Sequence, residues 1–181
     1  MSVSMMTKRG VGACAALMMT GLVSANSANA QAGYGTADEA TAMLDQVIAL
    51  VAADPVAALV GINSCANAAG CAPGFEAFRD RDLYPFCVAW SQDGSVQDGY
   101  VAAHGTTLAV LGQREDGFVD VADFAFGQAI IDAAEAAGDG LAEVEYMWTR
   151  PDADGEFPKT AFLRNVPGQN IFCGVGIYHP E

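Results

Sequence analysis

The sequence predicts an α+β domain, with its helices set apart from a single antiparallel sheet. Three observations carry that prediction. A capping box opens a long apolar helical stripe near Thr36, a β hairpin is written over residues 83–103, and three consecutive β runs close the chain. No internal repeat and no linker divides the region after residue 30.

In chain order, Thr36-Ala37-Asp38-Glu39 lets the Thr hydroxyl and the Glu carboxylate satisfy the first free N–H groups of a helix. Met43, Leu44, Val47, Ile48, Leu50 and Val51 follow at helical spacing as one apolar stripe, which Val56, Leu59, Val60 and Ile62 continue. Asp54-Pro55 restarts the helix, with Asp as N-cap and Pro at the first helical position. A small-residue loop holding Cys65 and Cys71 comes next.

Leu83–Trp90 and Val96–Ala103 then flank the strong turn signal Asp93-Gly94. Pro85 cannot donate to a ladder, so a bulge or an unpaired side is expected there. A loop with Gly112 and Gly117 leads to a helix over Asp123–Ala137, capped by Asp120 or Asp123. The last three runs are Leu141–Arg150, Lys159–Val166 and Ile171–Tyr178, joined by short Gly- and Pro-containing turns.

Residues 1–30 read as a signal peptide. Lys8 and Arg9 form the positive region, Val11–Ala25 the apolar region, and Ala28-Asn29-Ala30 a small-residue site with cleavage after Ala30. The rival reading is an uncleaved anchor. Residues 31–181 hold no segment long and apolar enough to span a membrane. The protein is therefore expected in the periplasm or secreted. The leader removes two of 8 basic residues and none of the 22 acidic ones, taking the charge from −14 to −16. Such a surface repels nucleic acid and anionic lipid.

Cys65, Cys71, Cys87 and Cys173 remain after the leader, an even number in an exported chain. Cys65 and Cys71 are expected to bridge within their loop. Cys87 and Cys173 each lie in a strand-like run and either pair or stay as buried thiols. No haem-attachment or zinc spacing occurs, and no cofactor is expected. A G-x-S-x-G elbow and a Walker loop are both absent. With only His104 and His179 as histidines, no nucleophile–base pair can be named and the chain is not read as an enzyme.

Several segments taken together resemble a known family. They are the A-D-P-x-x-A-L break at Ala53–Leu59, F-R-D-R-D-L-Y-P-F at Phe78–Phe86, and A-H-G at Ala103–Gly105. To these add E-Y-M-W-x-x-P at Glu145–Pro151, Pro158-Lys159 and C-G-V-G-I-Y at Cys173–Tyr178. In order and spacing they resemble a single Cache domain of the second type, spanning residues 31–181. The resemblance implies a PAS-like five-stranded antiparallel sheet with a long N-terminal helix. It also implies extracytoplasmic sensing, and a pocket for a small metabolite, often a short carboxylate.

The residues themselves fit such a pocket in part. Strand alternation puts Val144, Tyr146, Trp148 and Arg150 on one face. Lys159 supplies a positive charge across the turn, and His104 reaches in from the hairpin end. Aromatic walls with a few converging donors suit a small anion. Each residue also has a plainer reading: Tyr146 and Trp148 as core, His104 as a turn residue, Lys159 as a solvated strand end.

The chain ends at Glu181, three residues past Tyr178, so no transmembrane output module of its own is expected. The function expected is an exported ligand-binding sensor protein that presents a small molecule to a membrane receptor or kinase. The alternative is an accessory interaction module with no ligand.

Overall fold

The computed structural model describes residues 33–90 and 99–180. The leader with its cleavage site, the Asp93-Gly94 turn and the first part of the expected return strand lie outside the described residues.

The capping box forms as read. Thr36 Oγ1 accepts from the Glu39 N–H at 3.3 Å and the Glu39 carboxylate accepts from the Thr36 N–H at 2.9 Å. Helix α1 (Ala37–Ala53) follows and buries Leu44, Val47 and Val51, whereas Leu50 of the expected stripe is exposed, as are Val56 and Val60 beyond Pro55. Asp54 ends it and caps α2 (Pro55–Ser64), accepting from the Ala57 N–H at 3.0 Å. Pro55 breaks the helix because it has no N–H to continue the ladder.

Five strands make one antiparallel sheet: β1 (Pro85–Ala89), β2 (Tyr100–His104), β3 (Ala142–Thr149), β4 (Glu156–Asn165) and β5 (Ile171–Tyr178). Their spatial order is β2-β1-β5-β4-β3, the five-stranded α+β architecture expected. Pro85 pairs with Val175, and its carbonyl accepts from Gly105 N–H at 2.9 Å. The bulge comes later, between Cys87 and Val88 on the β2 side. Residues 112–115 run beside β2 and hydrogen-bond to it, with Gly112 N–H to Val101 O at 2.9 Å and Glu115 N–H to Gly99 O at 2.7 Å. This covers an edge that would otherwise be open.

Alternation along the strands sends side chains to two apolar layers. Cys87, Phe162, Cys173 and Val175 face α1 and α2. Phe86, Val88, Val144, Tyr146, Leu163 and Phe172 face α3 (Phe126–Ala137), which presents Phe126, Ile130, Ile131 and Ala134. Cys87 and Cys173 are direct cross-strand partners and are bridged, as are Cys65 and Cys71.

Several element ends fall a residue or more from those expected, β3 stopping at Thr149 among them, and two of the shifts bear on the site. The helix expected from Asp123 starts at Phe126, and neither Asp120 nor Asp123 caps it. The Asp120 carboxylate instead accepts from Ala122, Phe124 and Met147 N–H at 2.8–3.0 Å, tying the loop to β3. Asp123 has φ 60°, outside the helical region. Strand β4 begins at Glu156, not at Lys159, with Pro158 opposite Met147. Lys159 therefore lies inside the sheet, between Tyr146 of β3 and Tyr178 of β5. It is 1 % exposed, so the solvated strand end does not hold.

Candidate functional site

On the α3 side of the sheet the packing leaves a cavity of about 20 Å³, room for roughly one or two waters. Phe86, His104, Tyr146, Trp148 and Lys159 line it from the strands. Glu115 and Phe118 close it from the loop after β2, and Phe126 from α3. The walls are locked by ring packing. Phe126 stacks on Tyr146 at 4.5 Å between centroids, and Phe118 meets the Trp148 edge at 5.9 Å. So Tyr146 and Trp148 belong both to the apolar layer and to the cavity wall.

Lys159 is the cation of this cavity. Its stem crosses Gly176, where a Cβ would come within 2.2 Å of the lysine Cε. Only glycine leaves that path open. The amine donates to Tyr84 Oη at 2.8 Å and lies 4.1 Å from the Tyr84 ring centroid and 5.0 Å from that of Tyr178. Tyr84 is thus a buried residue that partners the site. Tyr84 and Tyr178 hydroxyls are 2.8 Å apart, and Tyr178 donates to Thr149 O at 2.5 Å. Burial pushes the Lys159 amine down to about 7, with Asp82 pulling the other way. Among the described residues it has one hydrogen-bond acceptor, so its other N–H groups are available to the cavity.

His104 is 5 % exposed. Its backbone N–H donates to Asn63 Oδ1 at 2.9 Å, and Asn63 also donates to Ala102 O, so α2 fixes the end of β2. The ring Nδ1 faces the N–H groups of Thr106 and Thr107 at 3.4 and 3.3 Å. A backbone N–H only donates, so Nδ1 accepts and the ring proton sits on Nε2. Burial, with Lys159 nearby, pushes this imidazole down to about 3. It is a neutral donor, both a turn residue and a cavity residue.

Glu115 is a site residue that the sequence did not mark. It is 4 % exposed, in a 3-10 turn (Glu115–Gly117) that carries no motif. Its position is set by the pairing of its N–H with Gly99 and by Gly127 at the start of α3. A Cβ at Gly127 would fall 1.7 Å from the Glu115 carbonyl oxygen. Burial, then Asp116, pushes the carboxyl up to about 8.

Arg150 is not among the residues lining the cavity. It pairs with Asp152 at 2.5 Å, donates to Tyr34 Oη and stacks over Tyr34 and Phe157. Arg81 pairs with Asp80 and Glu39, and Arg79 donates to Cys65 O. His179 is exposed and bonds Thr160. Among the described residues no three His, Cys, Asp or Glu side chains gather to hold a metal, and no helix is long and apolar enough to cross a membrane.

Residues 92–181 match the profile of single Cache domain 2. Over those residues the chain is a single Cache domain. Two solved structures share its fold. One is a methyl-accepting chemotaxis protein from Vibrio parahaemolyticus RIMD 2210633, 18 % identical, covering 78 % of this chain and 86 % of that one at a TM-score of 0.55. The other is a Cache chemosensory domain described as showing the basis for carboxylic acid recognition. It is 19 % identical and covers 79 % of this chain and 88 % of that one, with a TM-score of 0.54. At these identities the likeness is one of fold. No curated protein matches the chain. In single Cache terms, the cavity lies between the sheet and α3, on the face away from the long helix α1.

Proposed function

We propose that this single Cache protein is an extracytoplasmic sensor-type binding protein whose ligand is a short carboxylate held at Lys159. The observation that carries the reading is a buried amine with a single hydrogen-bond acceptor at the wall of an aromatic-lined hollow. Asp82 acts on this cation without a hydrogen bond to it, so burial still costs more than it returns, and an anion delivered to the hollow supplies a direct partner. His104 Nε2–H is a second donor, and Tyr146 and Trp148 supply apolar walls. Arg150, engaged with Asp152 and Tyr34, is left out of the site. The hollow of about 20 Å³ holds roughly one or two waters, so even a short acid enters only as the ring walls part. The relative that recognises carboxylic acids is consistent with this chemistry.

Export rests on the leader at residues 1–30, removed after Ala30, and on the two disulfides, which persist in oxidising compartments. The natural output is delivery of the bound state to a membrane receptor or kinase. The protein performs no catalysis in this reading.

A thermal-shift screen of acetate, propionate, lactate and pyruvate tests it. A ligand at a hundred times its Kd adds about 2.7 kcal/mol, a rise of roughly 5–10 °C for a chain of this size. Lys159→Ala and Trp148→Ala, each folded by circular dichroism, should lose that rise. Full retention of the rise in both variants removes the site assignment.

A further inference from the structure

We propose that Glu115 meets the ligand as a neutral acid. Its protonated carboxyl donates to the carboxylate held by Lys159, so the protein takes up protons with its ligand and admits short monocarboxylates while rejecting dicarboxylates and amino acids. This rests on the carboxylate reading above and adds a specificity-determining residue to it.

Geometry supports it first. Glu115 and Lys159 line the same cavity of about 20 Å³. Glu115 is 4 % exposed and its carboxyl has no hydrogen-bond partner among the described residues. The fully buried polar atoms without a partner belong to Trp90, Arg164 and Asn165, so the Glu115 oxygens keep some accessible surface. The Glu115 main chain cannot swing away, because its N–H is bonded to Gly99 and its carbonyl lies beneath Gly127. The charges around it are few. Asp116, next in the chain, is held outward by Arg114 at 2.6 Å. From β4 comes Lys159, from β2 the neutral His104, from β3 the Tyr146 phenol, and from α3 only the Phe126 ring.

Charge arithmetic then decides the protonation state. With Lys159 charged and Glu115 ionised, the cavity lining is neutral, Asp82 acting on the amine from outside that lining, and a carboxylate would share the hollow with another carboxylate. With Glu115 protonated the cavity carries one positive charge, which matches one negative ligand. The second oxygen of that ligand finds an acid proton instead of a like charge. A dicarboxylate would bring a further charge against Phe118 and Phe126, with no donor to receive it. With Glu115 protonated, the ammonium of an amino acid would add a second positive charge to the cavity and meet a neutral acid instead of a counter-ion.

The free cavity loses its protons near neutrality, since burial brings Lys159 to about 7 and Glu115 to about 8. Above pH 8 the bound state therefore recovers two protons, one on each group. Below pH 6.5 both are already in place.

Isothermal titration of propionate into the purified chain, from pH 5.5 to 9, tests this. Affinity is expected to be flat below pH 6.5 and to fall by close to a hundredfold per pH unit above pH 8. In Glu115→Gln, which cannot ionise, the fall is expected to shrink to about tenfold per unit, the Lys159 share alone. Titrating the wild-type chain at pH 8.5 in two buffers of different ionisation heat counts the protons directly, independent of any variant. An uptake near two supports the proposal; an uptake of one or fewer overturns the role of Glu115 while leaving carboxylate binding intact. At pH 6.5, malonate, succinate and glycine are expected to bind at least about a hundredfold more weakly than propionate, the factor conferred by about 2.7 kcal/mol. Glycine or succinate binding as tightly as propionate overturns the selectivity. No binding of any of these acids at any pH overturns the carboxylate reading itself, and this proposal with it.

Discussion

Lys159 is held in place at a cost to the fold. Its folded amine titrates near 7, well below the usual lysine value of 10.5. The sign follows from linkage. Between pH 7 and 10 the unfolded chain binds a proton that the folded one does not, so stability rises with pH over that window. Lys159→Met removes the group while keeping the stem that lies over Gly176. It should be more stable than wild type at pH 6, with the gap closing by about 1.4 kcal/mol per pH unit from 7 to 10. Urea unfolding at four pH values measures it, and a gap that widens toward pH 10 contradicts the assignment. Strand alternation places Trp148 on one face with Tyr146, but the sequence leaves Lys159 between a pocket cation and a solvated strand end, and only the family resemblance favours the pocket. Glu115 was not legible, since one glutamate among 22 acidic residues carries no local mark and is buried by a turn without a motif. Arg150 was misplaced for a physical reason. Strand β3 ends at Thr149, so alternation no longer fixes where the next side chain points.

Among the elements, α3 meets the loop after β2 through a glycine. Gly→Ala in a helix usually gains up to about 1 kcal/mol. At Gly127 the added methyl would sit 1.7 Å from a backbone carbonyl that has no room to yield. Gly127→Ala should therefore lower the melting temperature by several degrees. Gly117→Ala, with nothing within 4 Å of the added methyl, should shift it little, within about 0.5 kcal/mol. Equal melting temperatures for the two variants, by calorimetry, would show that the helix can lift away. The strands of the C-terminal meander and the break at Pro55 could be read directly, because alternation and capping are local signals. The start of α3 could not. Asp120 looks like a cap in sequence, yet its carboxylate binds Met147 N–H of β3, a partner 27 residues away. The edge pairing of residues 112–115 with β2 escaped notice for the same reason: its partners are set by tertiary packing.

Over the whole molecule, two covalent links act on very different lengths of chain. Cys87–Cys173 spans 86 residues and Cys65–Cys71 spans 6. By loop-closure entropy the longer link restricts the unfolded chain more, by about 2 kcal/mol. The Cys87→Ala/Cys173→Ala pair should thus lower the urea midpoint more than Cys65→Ala/Cys71→Ala does; the reverse order would mean the short loop is what holds α2 to the sheet. A thread of hydroxyls crosses the same centre and has a direction. The Thr149 carbonyl can only receive, so Tyr178 spends its hydrogen there, Tyr84 spends its own on Tyr178, and the lysine must give to Tyr84. Both phenols are thereby committed away from the hollow. Whatever enters it is offered nitrogen-borne hydrogens by Lys159 and His104, and an incoming alcohol seeking a phenolic donor from Tyr84 or Tyr178 would find that end of the thread already closed.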